Sequence, residues 1–290
     1  MLDRADHKLA KLSKGLLDLP SLPLAVEHLV QLSEREPTPR QLADLIGADQ
    51  GLTAKVLRLV NSAFYSLRSP IASLSHASSL LGTKTLKSMA LSVSVMNLLQ
   101  DAGGEAERRA FWRHSMAAAI VAQKVGFVLL PRIEEDLYVA GLLHDAGVAI
   151  LMENLQDDYA AAIALARSTS RDLTEIEAET FGTTHAEVGH MLASRWRLPP
   201  LVCECIRLHE EPDDGIHAAP GDLEKAVDII RFADRWATRA GFDFIHPGLV
   251  STHPVLPLPA WAGIDLDDIR PTLEKLPDEV AGRESLLFPV

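Results

Sequence analysis

The sequence predicts an all-α protein, a two-lobed helical bundle, and three observations carry that expectation. Apolar residues recur at three- and four-residue spacing over most of the chain, helix-start signatures repeat along it, and convincing strand patterns are absent. At 290 residues with 47% apolar content, the chain has ample material for a buried core.

The first helical spacing runs from Leu22 to Ser33. Thr38, Pro39 and Gln41 then supply an N-cap, a first-turn proline and a capping-box partner for a helix reaching about Ala48. Asp49 caps the next helix, Leu52 to Asn61; Asn61 and Ser62 cap its end, and Phe64 and Tyr65 are expected to pack between lobes. Another helix spans Thr85 to Leu99. In Asp101-Ala-Gly-Gly-Glu105 the paired glycines favour a break, which places the boundary between an N-terminal lobe (about 16–101) and a second lobe (about 105–240). The second lobe carries helical spacing over Ala106 to Leu130, Tyr159 to Ala166, Leu201 to Leu208 and Leu223 to Ala240. Within it, Asp172 with Glu175, and Thr184 with Glu187, repeat the capping pattern before two further helices. Residues 241–290 form a C-terminal extension: irregular, proline- and histidine-rich backbone to Ala260, then a short amphipathic helix from about Asp265 to Leu276.

Charge narrows the function classes. The net charge of −12 is uneven: residues 1–100 hold 11 Lys and Arg against 8 Asp and Glu, the remainder 17 against 32. So acidic a second part repels phosphate backbones, and duplex nucleic acid is not expected as a partner. Every apolar run is broken well short of the roughly 20 residues that cross a bilayer, so no membrane span or signal peptide is read. Cys203 and Cys205, two apart on a helix, face different sides, which disfavours a mutual disulfide and suits a reducing cytoplasm. They are read as small core residues.

The sharpest chemical feature is Tyr138-Val-Ala-Gly-Leu-Leu-His-Asp-Ala-Gly147, in which an apolar helix delivers His144 and Asp145 just before a glycine. Imidazole and carboxylate both ligate first-row divalent metals, and neighbours at a distorted helix end can converge on one ion. His114, His185, His209 and Asp234 are further candidates, Asp234 interrupting the apolar run Ile229-Ile-Arg-Phe-Ala. An ionised carboxylate in such company is costly unless it is paired or metal-bound. Among 11 histidines, spacing alone leaves two readings open: metal ligands, or hydrogen-bonded core and surface histidines.

The order His114, His144-Asp145, Asp234 resembles the H…HD…D pattern of the HD superfamily of metal-dependent phosphohydrolases. Leu19-Pro-Ser-Leu-Pro23, Ile46-Gly-Ala-Asp-Gln-Gly-Leu-Thr-Ala-Lys-Val-Leu57, Asn61-Ser-Ala-Phe-Tyr65 and Leu81-Gly82 resemble the HDOD family, the HD-related output domains of bacterial signalling proteins. Ala140-Gly-Leu-Leu-His-Asp145, His185-Ala-Glu-Val-Gly189, Trp196-Arg-Leu-Pro199 and Ile206-Arg-Leu-His209 fall in that family's order, so the resemblance covers about residues 16–240. It implies that His114, His144, Asp145 and Asp234 occupy the common metal-ligand positions. His185 and His209 match the extra histidines of two-metal HD enzymes such as the HD-GYP cyclic-di-GMP phosphodiesterases. The implied cofactor is a divalent ion, Fe, Mn or Zn.

Two departures point away from catalysis. HD-GYP enzymes carry lysine in His-Asp-x-Gly-Lys, where this chain has Val148, and no Gly-Tyr-Pro follows His209. Instead Glu210, Glu211, Asp213 and Asp214 would oppose an anionic phosphodiester. The resemblance therefore implies a non-catalytic output module that binds a protein partner in a bacterial signalling pathway, within a cyclic-di-nucleotide or motility circuit, with at most weakly held metal. The alternative is a metal-dependent phosphohydrolase acting on a nucleotide or cyclic dinucleotide.

Overall fold

Thr38 opens the first helix of the N-terminal part as expected. Its hydroxyl accepts the Gln41 N–H at 3.3 Å while Gln41 Oε1 accepts the Thr38 N–H at 2.9 Å, closing a capping box on α1 (Pro39–Gly47). Asp49 likewise accepts the Leu52 N–H at 2.9 Å and starts α2 (Gln50–Val60). At its end the Asn61 amide donates to the Leu57 and Ile71 carbonyls and accepts the Ile71 N–H, so one side chain caps the helix and ties it to the returning chain. α3 (Leu74–Leu81) and α4 (Thr83–Leu98) complete this group. The computed structural model describes residues 28–29, 37–61, 69–98, 104–211, 221–245 and 258–287. Leu19–Pro23, most of Leu22–Ser33, Ser62 to Tyr65, the Asp101–Gly103 break and residues 212–220 lie outside them.

The second half is built on α5 (Glu105–Leu129), whose faces are so apolar that Phe111, Trp112 and the run Met116 to Ala122 are all buried. α6 (Glu134–Leu143) and α12 (Asp222–Ala237) pack along it; α7 (Ala146–Leu155), α8 (Asp157–Thr169), α9 (Leu173–Phe181), α10 (His185–Arg195) and α11 (Pro200–Leu208) complete the surround. Among the described residues all regular structure is helical, and no helix there is long and apolar enough to cross a membrane. Cys203 and Cys205 are buried and unbridged, and burial pushes the Cys205 thiol up to about 12, which keeps it an inert core residue. α4 joins the two halves through Lys84–Glu134 (2.6 Å) and the buried Lys87–Glu135 pair (2.8 Å).

The C-terminal region differs from the expected single helix. Asp265 caps α13 (Leu266–Leu273), and a second helix, α14 (Leu276–Leu287), follows and packs on both α2 and α5. Pro277 stands in the first turn of α14, where it lacks only an N–H that would be unpaired anyway. Arg283 is buried, donating to the Tyr138 hydroxyl at 3.0 Å, so this region finishes the core.

A close backbone crossing sets the geometry that matters most. A Cβ on Gly147 would stand 1.9 Å from the His185 carbonyl oxygen and 2.8 Å from the Gly189 N. α7 and the start of α10 meet this closely because Gly147 has no side chain, and Gly189 lets Ile206 of α11 close in on α10. Gly147→Ala is expected to force these helices apart, costing on the order of 1–3 kcal/mol or more. The check is a lower melting temperature accompanied by loss of any metal held jointly by Asp145 and His185.

Candidate metal centre

His144 and Asp145 are the two residues of a helix break. α6 ends at Leu143, α7 begins at Ala146, and Asp145 takes φ −99° and ψ 11° while its carbonyl accepts the Val148 N–H at 2.8 Å. Adjacent side chains on a continuous helix diverge by about 100°. The break lets this pair meet, with His144 Nε2 3.2 Å from Asp145 Oδ2. α5 contributes His114, the first residue of α10 is His185, the residue ending α11 is His209, and α12 contributes Asp234.

All six residues named from the sequence come together around Asp145, in two groups. Its Oδ2 faces His114 Nε2 at 3.5 Å and His144 Nε2, and those two nitrogens are 3.3 Å apart. Asp234 Oδ1 joins them at 3.1 and 3.8 Å. The other oxygen, Oδ1, lies 3.4 Å from both His185 Nε2 and His209 Nε2. His114, His144 and Asp145 thus form one metal-competent triad and Asp145, His185 and His209 a second, each wholly buried.

The four imidazoles are fixed in one tautomer. Their Nδ1 atoms contact the Phe242 carbonyl (His114, 3.1 Å), the Gly141 carbonyl (His144, 2.8 Å), Glu177 Oε2 (His185, 2.8 Å) and the Ile206 carbonyl (His209, 2.7 Å). Those oxygens only accept, so every Nδ1 carries a proton and every Nε2 offers a lone pair to the centre. His144 and His209 do this from helix ends, each satisfying a carbonyl of its own last turn. His185 Nε2 and His209 Nε2 are buried without a hydrogen-bond partner, and His114 Nε2 faces His144 Nε2 lone pair to lone pair. Divalent cations satisfy these requirements together, and the donor set of imidazole with carboxylate suits Fe, Mn or Zn. The residues present fit the group.

Without metal, protons take that place. Burial works against charge on Asp145 and Asp234, yet His144 holds Asp145 far below the usual carboxylate range, and His114 and His144 hold Asp234 low. Burial likewise disfavours imidazolium, but Asp145 and Asp234 raise His144 well above its ordinary value, while Glu177 and Asp145 push His185 up to about 10. The buried carboxylates of the centre draw positive charge, whether protons or a cation.

Three contributors were not read from the sequence as parts of the centre, Glu210 having figured there only as a charge opposing substrate. Glu177 is fully buried and its Oε2 accepts both the backbone N–H and the Nδ1–H of His185 at 2.8 Å, while the Tyr159 hydroxyl donates to Oε1. The signal was present: Glu177 shares the apolar stripe of Leu173, Ile176 and Phe181, whereas Glu175 and Glu179 pair with Arg171 outside. Phe242, whose carbonyl orients His114, ends a π-helical turn (Thr238–Phe242) in which Gly241 takes φ 91°. The third is Glu210, whose Oε1 lies 3.8 Å from both His185 Nε2 and His209 Nε2.

The HDOD domain profile matches residues 19–212, well over half of the chain. The chain belongs to the HDOD domain family. An HDOD domain protein with unknown function from Geobacter sulfurreducens is similar to it at 27% identity, with a TM-score of 0.76 over 98% of this chain and 99% of that one. A Shewanella amazonensis protein whose description proposes a phosphohydrolase shares the fold at 22% identity, TM-score 0.66, over 96% and 97%. So does a Marinobacter aquaeolei protein whose description proposes signal transduction, at 18% identity and TM-score 0.73, over 99% and 67%. A Treponema pallidum protein described as uncharacterized is 24% identical over 229 residues; the match spans 78% of this HDOD chain and 43% of that relative's length.

Proposed function

We propose that this HDOD protein is a bacterial signal-transduction module that acts in the cytoplasm by binding a protein partner, and that its His/Asp centre holds divalent metal without turning over substrate. The observation that carries this reading is the character of the centre's open side. The histidines and Asp145 are 7% exposed or less, and the more exposed members are the carboxylates of Asp234 (26%) and Glu210 (33%). An approaching phosphodiester, whose transition state concentrates negative charge, meets the carboxylates of Asp234 and Glu210 there. Val148, at the lysine position of HD-GYP enzymes, is fully buried in the core. Tight rather than weak metal binding is favoured by the four locked tautomers.

A second reading, a metal-dependent phosphohydrolase, is favoured by the complete ligand set and by the way the two oxygens of Asp145 serve the two triads. Divalent ions bound there supply Lewis acidity and fixed positive charge. Asp145 would hold both in register, and the imidazoles would fix their positions.

The deciding experiment is turnover of cyclic-di-GMP by Mn²⁺- or Fe²⁺-reconstituted protein under reducing conditions, beside Asp145→Ala. Equal, negligible rates are expected in both. Robust turnover in the wild type that vanishes in the variant would replace the binding-module reading with the hydrolase.

A further inference from the structure

We infer that Glu210 is a direct ligand of a divalent cation, completing a closed four-donor position with Asp145, His185 and His209. The inference rests on the metal-holding centre proposed above and deepens it, because it specifies how one of its positions is shut.

The geometry comes from the spacing of donor atoms. Glu210 Oε1 is 3.8 Å from His185 Nε2 and 3.8 Å from His209 Nε2, and Asp145 Oδ1 is 3.4 Å from each. A distance of 3.8 Å is too long for a hydrogen bond. It is close to the spacing of two ligands on one tetrahedral ion, about 3.4 Å for bonds of about 2.1 Å. Both imidazole nitrogens are buried and unpartnered, so the Glu210 carboxylate faces two lone pairs that no hydrogen bond satisfies. Two carboxylates and two neutral imidazoles also balance a divalent charge.

The turn that carries Glu210 is held in place. Arg231 Nη2 donates to the carbonyls on either side, Leu208 at 3.0 Å and Glu211 at 2.7 Å, and the Glu211 N–H donates to the Leu208 carbonyl at 3.1 Å. The neighbouring carboxylate takes a different direction, Glu211 pairing with Arg207 at 3.2 Å. Of two adjacent glutamates, only the first is turned toward the imidazoles.

The consequence is coordinative. Structural zinc sites are closed by four protein ligands, whereas catalytic ones keep a position open for water or substrate. With Glu210 in the shell, the His185–His209 position is of the closed kind, and its ion organises the ends of α10 and α11 rather than activating anything.

The test uses the full chain without an affinity tag, titrated with Co²⁺ and Zn²⁺, in the wild type, Glu210→Gln, Glu210→Asp and Glu211→Gln. Two equivalents are expected in the wild type, with the intense visible bands of four-coordinate Co²⁺ from the His185–His209 position. Glu210→Gln should weaken that ion by at least the 10- to 100-fold typical of losing even an outer partner, with a change in those bands. Glu210→Asp, which keeps the charge but shortens the reach, should weaken it too, and Glu211→Gln should match the wild type. Two equivalents with unaltered affinity and spectrum in both Glu210 variants would overturn the inference while leaving the metal centre intact. Fewer than two equivalents in the wild type would overturn it together with the reading on which it rests.

Discussion

Asp145→Ala is expected to remove metal from both triads at once, the largest single effect available in the molecule. Among the described residues Asp145 is the side chain that faces both: Oδ2 meets His114 and His144, and Oδ1 meets His185 and His209. The loss has two separable parts. In metal-loaded protein, ions bound at 1,000 times their Kd stabilise the native state by about 4 kcal/mol per site, and that contribution disappears. In metal-free protein the substitution removes the anion that pairs with the His144 and His185 protons. Breaking a buried pair costs roughly 3–5 kcal/mol, and the imidazoles recover part of this by releasing their protons. The measurement is metal content by elemental analysis beside thermal melts with and without chelator. Wild type should melt at a lower temperature with chelator, and Asp145→Ala at one temperature regardless. Asp145→Asn keeps shape and neutral hydrogen bonding, so it should fold better than the alanine variant and still lose the metal. Two equivalents of metal in the alanine variant would mean that the convergence around Asp145 is not a coordination site.

What was legible in the sequence is what depends on neighbours along the chain. The capping boxes of Thr38 with Gln41 and Thr184 with Glu187 are local chemistry, and both form. Asp172 also caps, but through the Thr174 N–H, while Glu175 turns outward to Arg171, so that box is only half made. The six candidate ligands were named from the H…HD…D order and the flanking motifs, and the cost of an ionised carboxylate in an apolar run pointed separately to Asp234. The groups that orient them were hidden for a different reason. The Phe242 and Ile206 carbonyls have no residue identity to read, and Glu177 becomes a partner of His185 only when α9 folds back against the start of α10. Glu210 was read as a charge opposing substrate because sequence gives its sign and not its direction. The helix at Leu276–Leu287 was missed because its apolar stripe is weak and its burial is decided by α2 and α5.

Glu177→Gln is expected to separate metal affinity from folding. The wild-type carboxylate receives three donors: the N–H and Nδ1–H of His185 on Oε2, and the Tyr159 hydroxyl on Oε1. Glutamine can keep its one carbonyl toward His185 and turn its amide to Tyr159, whose hydroxyl rotates to accept. His185 keeps its acceptor, but the Tyr159 hydroxyl proton and one amide N–H are left without one, and with the change from charge-assisted to neutral hydrogen bonds the cost is about 1–3 kcal/mol. The negative charge behind His185 is gone, however, along with the basicity it lends to Nε2. Metal affinity at the His185–His209 position should fall about 10- to 100-fold, with little change for the ion held by His114, His144 and Asp234. Glu177→Ala leaves two His185 N–H groups and a tyrosine hydroxyl unpaired inside the protein, and at about 1–3 kcal/mol each it should be severely destabilised. Calorimetric metal titration of the wild type and the glutamine variant, with chemical denaturation of all three proteins, reads both quantities. A glutamine variant with wild-type affinity at both positions would confine Glu177 to capping the N-terminus of α10. A selective loss at one position would make it the residue that aims His185 at the metal.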